Sequence, residues 1–282
     1  MTIRGNAVWC AILILAGAIW CAASVTSDTW VEVRSPNFRV ISNGGEKKAR
    51  EVAVHFEQIR AVYRSSLPFA GAHASPLITI LAAKDNKSLG QLLPDYWGKE
   101  RSHPAGLFVE GQLRYYILLD MDVAGPNPYI VIFHEYFHSL TLPFYPDMPT
   151  WLAEGMADFY ANTVIDSKGV SLGMPNENQL LLLREQRILP LDVLFRVDPA
   201  SPYYNEKDKT SIFYAESWAL THFLLLGDNQ SHRKTLADFL SHLDRGESME
   251  QAEAAAFGDL KQFQKQFNDY IGRQSFNYVK YP

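Results

Sequence analysis

From residue 30 to 41, hydrophobic and polar positions alternate with a period of two, as V-E-V-R and F-R-V-I on either side of a Ser35-Pro36-Asn37 break. Alternation of this kind predicts two short strands. Asn43-Gly44-Gly45 reads as a turn. Between residues 46 and 66 the period changes: Val52, Val54, Phe56, Ile59, Val62 and Tyr63 fall mostly at helical spacing among charges. That predicts an amphipathic helix, ended by Pro68. Residues 76–83 (P-L-I-T-I-L-A-A) form an apolar run, the signature of a buried strand. A turn and a short helix closed around Pro94 follow over 84–97. Residues 106–111 (G-L-F-V-E-G) and 114–119 (R-Y-Y-I-L-L) predict two more strands, joined by a tight turn at Gly111-Gln112.

The Gly125-Pro126-Asn127-Pro128 loop divides the pattern. Beyond it the chain is mainly helical, and Pro128 suits the first turn of the next helix. Helices are expected over 131–140, over 150–160 with Thr150 as N-cap, over 177–187 and over 210–226. Two amphipathic helices near 231–243 and 249–270 finish the chain, and a hairpin is expected around Ser167-Lys168-Gly169. Residues 198–209 read as a loop rich in Asp, Pro and Tyr. The layout is therefore α+β, with a mixed sheet and one or two helices first and helices after. It divides into residues 25–126, the sheet part, residues 127–228, the helical part, and residues 229–282, the C-terminal helices.

The first residues follow neither period. Arg4 is the only charge before Asp28, and residues 7–23 are unbroken apolar sequence with small residues at the end. A basic start, an apolar centre and a Cys21-Ala22-Ala23 exit before Ser24 predict a signal peptide over residues 1–23. Contact with a membrane is expected only if that segment stays as an anchor. Both cysteines, Cys10 and Cys21, fall inside it. A mature chain would have no disulfide, which points to a bacterial periplasm or envelope. At 47% hydrophobic and 20% charged the chain as a whole has the composition of ordinary globular sequence. A net charge of −5 without a basic stripe gives no support for nucleic-acid binding.

The candidate chemistry lies between residues 131 and 158. His134 and His138 are four apart in H-E-Y-F-H, so a helix presents both imidazoles on one face, with Glu135 about 100° round from the first. In a chain of this composition such a motif arises by chance on the order of once in a hundred. Its neighbours sharpen it. Val131, Ile132, Phe133, Tyr136, Phe137 and Leu140 make the helix apolar nearly all round, hence buried, and buried imidazoles and carboxylates need partners. A metal ion supplies them. Glu154, in W-L-A-E-G-M-A-D-F on the next helix, offers a third ligand after a turn set by Pro143, Pro146 and Pro149. Asp158 lies one turn further on the same face, a candidate to orient a ligating imidazole.

H-E-Y-F-H followed by W-L-A-E-G-M-A-D resembles the gluzincins, the His-His-Glu branch of the zinc metallopeptidases that includes the thermolysin-like enzymes. The helix Y-A-E-S-W-A-L-T-H-F-L from Tyr214 is similar to the downstream helix of the bacterial peptidase-MA-like proteins, domain of unknown function 1570. The resemblance covers roughly residues 106–226, and its spacer from His138 to Glu154 is shorter than in thermolysin-like enzymes. It implies a zincin-like fold and one zinc ion per chain on His134, His138 and Glu154. It implies Glu135 as general base in hydrolysing a peptide or protein substrate, and Tyr214 or His222 as oxyanion donor. For His222 a place in the core is the equal alternative, and Glu216 and Ser217 receive no role. The 106–111 strand is either the cleft's edge strand or an internal one.

The second functional class is a catalytically inactive zincin-fold envelope protein acting as a binding or assembly module. An intact Glu135 favours the enzyme, because a binding module has no need of that carboxylate. A glycosidase built on Glu135, Glu154 and Asp158 leaves both histidines without a purpose.

Overall fold

The computed structural model of the chain describes residues 28–66, 77–92, 94, 106–110, 115–122, 129–141, 145–166, 168–204 and 211–281. The expected signal segment, the turn at 111–112, the 125–128 loop, Pro68 and Pro143 lie outside them.

Strands β1 (Val31–Arg34) and β2 (Phe38–Ser42) form an antiparallel hairpin across the Ser35-Pro36-Asn37 break. In β2 buried and half-buried residues alternate, as the period-two pattern requires. Helix α1 (Glu46–Ser66) then crosses back so that β3 (Ile78–Ala83) pairs parallel to β2. After helix α2 (Asn86–Leu92), strands β4 (Gly106–Glu110) and β5 (Tyr115–Asp120) complete the mixed sheet in the order β1-β2-β3-β5-β4. β5 is parallel to β3 and antiparallel to β4, which makes β4 an edge strand.

One sheet face carries the main core. Phe38, Val40, Ile80, Ile117 and Leu119 are buried there with Val52, Phe56, Ile59 and Tyr63 of α1, whose spacing follows the helical repeat. On the other side Leu89 of α2 and Leu118 form a smaller cluster. Helix α3 (Ile130–Thr141) is tied to α1 at two points. The Tyr63 hydroxyl donates to the Phe133 carbonyl at 2.8 Å, and Arg60 Nη1 donates to the Tyr136 hydroxyl at 2.9 Å.

Helix α4 (Thr150–Ala161) packs between α3 and α7 (Ile212–Leu226). The α4–α7 approach needs a glycine. A Cβ added at Gly155 would lie 2.2 Å from the Ser217 carbonyl oxygen, a backbone atom that cannot swing aside. Between them run the hairpin β6 (Val164–Asp166) and β7 (Gly169–Leu172), then α5 (Glu177–Glu185) and the short α6 (Leu191–Leu194). Helices α8 (Arg233–Asp244), α9 (Met249–Phe257) and α10 (Leu260–Ile271) follow. Finally β8 (Val279–Tyr281) pairs antiparallel with β7. Leu236, Phe239, Phe263, Phe267 and Tyr270 join the same core as the sheet, so residues 229–282 are an integral layer.

Two expectations change. Thr150 is the first helical residue of α4 and not its cap; Pro149 holds that position, its carbonyl accepting from Leu152 and Ala153 N–H. The helix expected over 249–270 is two helices. Gly258 has φ of 63°, a left-handed conformation that stops α9, and the Asp259 side chain caps α10 by accepting from the amides of Lys261 and Gln262.

Candidate metal centre

α3 supplies His134 and His138 from one face, and α4, returning after the proline-bearing turn, supplies Glu154. Their donor atoms converge. His134 Nε2 lies 3.0 Å from Glu154 Oε2 and 3.1 Å from His138 Nε2, and His138 Nε2 lies 3.4 Å from the same carboxylate oxygen. Ligand bonds of about 2.0–2.1 Å in a tetrahedral shell separate neighbouring ligand atoms by about 3.3 Å. The triangle has that size.

Its protonation also fits a cation. His134 Nδ1 is 2.6 Å from Asp158 Oδ1, and a carboxylate can only accept, so Nδ1 carries the hydrogen. In the neutral ring Nε2 is then a bare lone pair, turned toward a carboxylate oxygen and a second imidazole. With His138 Nε2 presented as an acceptor as well, three acceptors face one another, and a positive charge between them reconciles the arrangement. With protons on the imidazoles in place of a metal ion, burial pushes the Glu154 carboxyl up, but the hydrogen bonds and charge of His134 and His138 outweigh it and hold it well below the usual carboxylate range, so Glu154 is an anion in either case. His134, His138 and Glu154 can therefore bind a metal ion. His134 is sealed, whereas the His138 side chain is 26% exposed, so the centre opens on the His138 side.

Behind the ligands the contacts continue. Asp158 Oδ2 accepts from Gln179 Nε2 of α5 at 2.5 Å. α5 is docked at the end of α4 through Asn176, whose side chain caps α5 by accepting from Asn178 and Gln179 N–H and also donates to Asn162 at 3.4 Å. The remaining Glu154 oxygen, Oε1, accepts from the Tyr204 hydroxyl at 3.2 Å. Neither Gln179 nor Tyr204 carries a sequence signal of its own. They lie 21 and 50 positions from their partners, and only the fold brings them there.

The other sequence candidates separate. Glu135 follows His134 on α3 and is half-buried. Tyr214 is fully buried beside Tyr204, with ring centroids 5.9 Å apart; burial first, then the negative charge of Glu154, pushes its hydroxyl far up. It lies deeper than Tyr204, which is half-buried. His222 is a core histidine: its Nε2 meets the Gly173 carbonyl at 2.9 Å and its Nδ1 the Tyr270 hydroxyl at 2.6 Å, at zero exposure. Burial lowers its pKa to about 4, so the ring is neutral. With both nitrogens engaged it has no donor to offer an oxyanion.

Tyr204 fixes which oxygen of Glu154 faces the imidazoles. Tyr204→Phe is expected to weaken metal binding about tenfold, the effect of losing an outer partner of a ligand, as measured by competition with a chromophoric chelator. Unchanged affinity would show that Glu154 needs no such restraint.

Residues 132–250 match the family model described as "Protein of unknown function (DUF1570)". The match includes His134, His138 and Glu154 and supports the family resemblance drawn from the sequence. No curated protein matches the chain.

Proposed function

We propose that the chain is an exported zinc-dependent peptidase of zincin-like fold. The observation that carries this reading is the acceptor triangle of His134, His138 and Glu154, open on one side and flanked in sequence by Glu135. Two imidazoles and a carboxylate at tetrahedral spacing suit zinc, and three protein ligands leave a position free, as catalytic sites do. The edge strand agrees with that fold: β4 runs beside α3, and a Cβ at Gly106 would lie 2.0 Å from Ile132 Cδ1, so strand and helix are in tight contact. A substrate peptide adds to the outer edge of β4, which pairs with no other strand among the described residues, by main-chain hydrogen bonds.

Zinc bound there supplies Lewis acidity, polarising a carbonyl and making water reactive near neutral pH. Glu135 takes the proton of the attacking water and returns it to the leaving nitrogen. Asp158 holds the His134 ring in the Nδ1–H tautomer, and Gln179 holds Asp158. Tyr204, with its hydroxyl on a ligand carboxylate, holds Glu154 in its orientation. The apolar segment over residues 7–23 supports export to a bacterial periplasm or envelope. Among the described residues no helix is long and apolar enough to cross a membrane.

The test is metal analysis of the purified chain together with digestion of a peptide library, with and without chelator. About one zinc per chain and cleavage that chelation stops and zinc restores are expected. Stoichiometric zinc without cleavage of any peptide would favour the inactive binding module instead.

A further inference from the structure

A cavity of about 1020 Å³ opens on the side of α4 away from the metal ligands. Asp158 faces the metal centre, and Tyr160, two residues on and about 200° round the helix, faces the cavity. None of His134, His138 or Glu154 lines it. Its walls come from α1, the β6-β7-β8 sheet, the end of α7 and α8, and its volume is at the upper end of ligand pockets, about 300–1,000 Å³.

Two features of the lining identify a ligand class. Ile165, Val170, Leu225, Leu240 and Val279 are half-buried aliphatic side chains of the lining, which offer neither polar partners nor flat faces for stacking. On α8 the lining is the stripe Arg233, Leu236, Ala237 and Leu240, so the charged residue stands at the start of the helix and apolar residues follow it. Tyr160 and Ser66 also line the cavity, and the charge of Arg233 acts on the Tyr160 phenol. Arg233 is held over the groove by its Nε, which donates to the Leu225 carbonyl at 2.9 Å. No carboxylate among the described residues pairs with its guanidinium. The nearby rim carboxylate, Asp166, accepts instead from the Lys168 amide of its own turn. An apolar channel ending in an uncommitted guanidinium and a phenol is complementary to a flexible hydrocarbon with an anionic head.

We propose that this groove binds a long-chain fatty acid, its alkyl chain along the aliphatic wall and its carboxylate on Arg233 beside Tyr160. The site is independent of the metal centre, and the experiment keeps the two apart. The full chain is titrated with cis-parinaric acid, a fluorescent fatty acid, and the probe is displaced with palmitate, with hexadecanol and with an apolar peptide. Each titration is run with and without chelator. Saturable binding of one probe per chain is expected, unchanged by chelator, with palmitate displacing it at least tenfold better than hexadecanol. Arg233→Ala removes that preference. Ala237→Trp, at an exposed position of α8 on the groove, weakens probe binding at least tenfold without changing the melting temperature. Should Ala237→Trp disturb folding, Arg233→Ala, a solvent-facing change, still decides. Absence of saturable binding overturns the proposal. So does binding lost to chelator, which would put the carboxylate on the metal. Displacement by the peptide but not by palmitate overturns it in favour of a protein partner.

Discussion

Glu135→Gln is expected to keep about one zinc per chain and to lower peptide hydrolysis about a thousandfold, the middle of the range for losing a general base. That factor corresponds to about 4 kcal/mol of transition-state stabilisation. The substitution isolates one function. Glutamine has nearly the shape of glutamate, so the packing of α3 is kept, and the three converging donor atoms belong to His134, His138 and Glu154. What the amide cannot do is accept a proton. Loss of activity with metal retained therefore separates base from ligand, and the readout is single-turnover hydrolysis alongside elemental analysis. Retained hydrolysis in a zinc-loaded variant would refute the role given to Glu135. Zinc lost together with activity would mean that Glu135 holds the metal, and the ligand set would have to be redrawn.

The parts of this site that were legible in the sequence are those fixed by helical geometry over a few residues. The four-residue spacing of His134 and His138 puts two rings on one face whatever surrounds them, and the same spacing puts Asp158 one turn beyond Glu154. α1 and the strands up to β5 were legible for the same reason, since their periods of 3.6 and two are local. Contacts that depend on how loops return were not. Tyr204 and Gln179 reach the site from separate segments, and Tyr214 and His222, which share α7, part company because one faces Tyr204 while the other faces Gly173 and Tyr270. Short determinants were missed too. A single left-handed glycine, Gly258, outweighs the continuous amphipathic pattern around it. The three residues of β8 are too few to show any period, and they become a strand only because β7 offers an edge.

The most apolar helix among the described residues carries an acid that the metal chemistry does not use, and it predicts a pH dependence of stability. Glu216 on α7 is fully buried, and its Oε2 accepts from the Leu189 amide at 2.8 Å. Burial pushes its pKa up to about 8, against a lesser opposite effect of the Leu189 hydrogen bond. The folded chain thus keeps a proton that the unfolded chain releases near the ordinary glutamate value of about 4.3. Between the two values unfolding liberates that proton, so the contribution of Glu216 to stability is fully present below about 4.3, falls as pH rises, and levels off above about 8. Glu216→Gln keeps an acceptor for Leu189 and removes the ionisation. The variant is expected to match the parent near pH 5 within about 1 kcal/mol and to exceed it by about 3–5 kcal/mol at pH 8.5, at about 1.4 kcal/mol per unit of pKa difference. Urea unfolding of both proteins at the two pH values measures this. Taking the difference at each pH cancels every other titrating group, the metal ligands included. A variant that gains nothing between pH 5 and 8.5 would mean that water or a basic side chain reaches Glu216 and that the carboxylate is charged in the folded core.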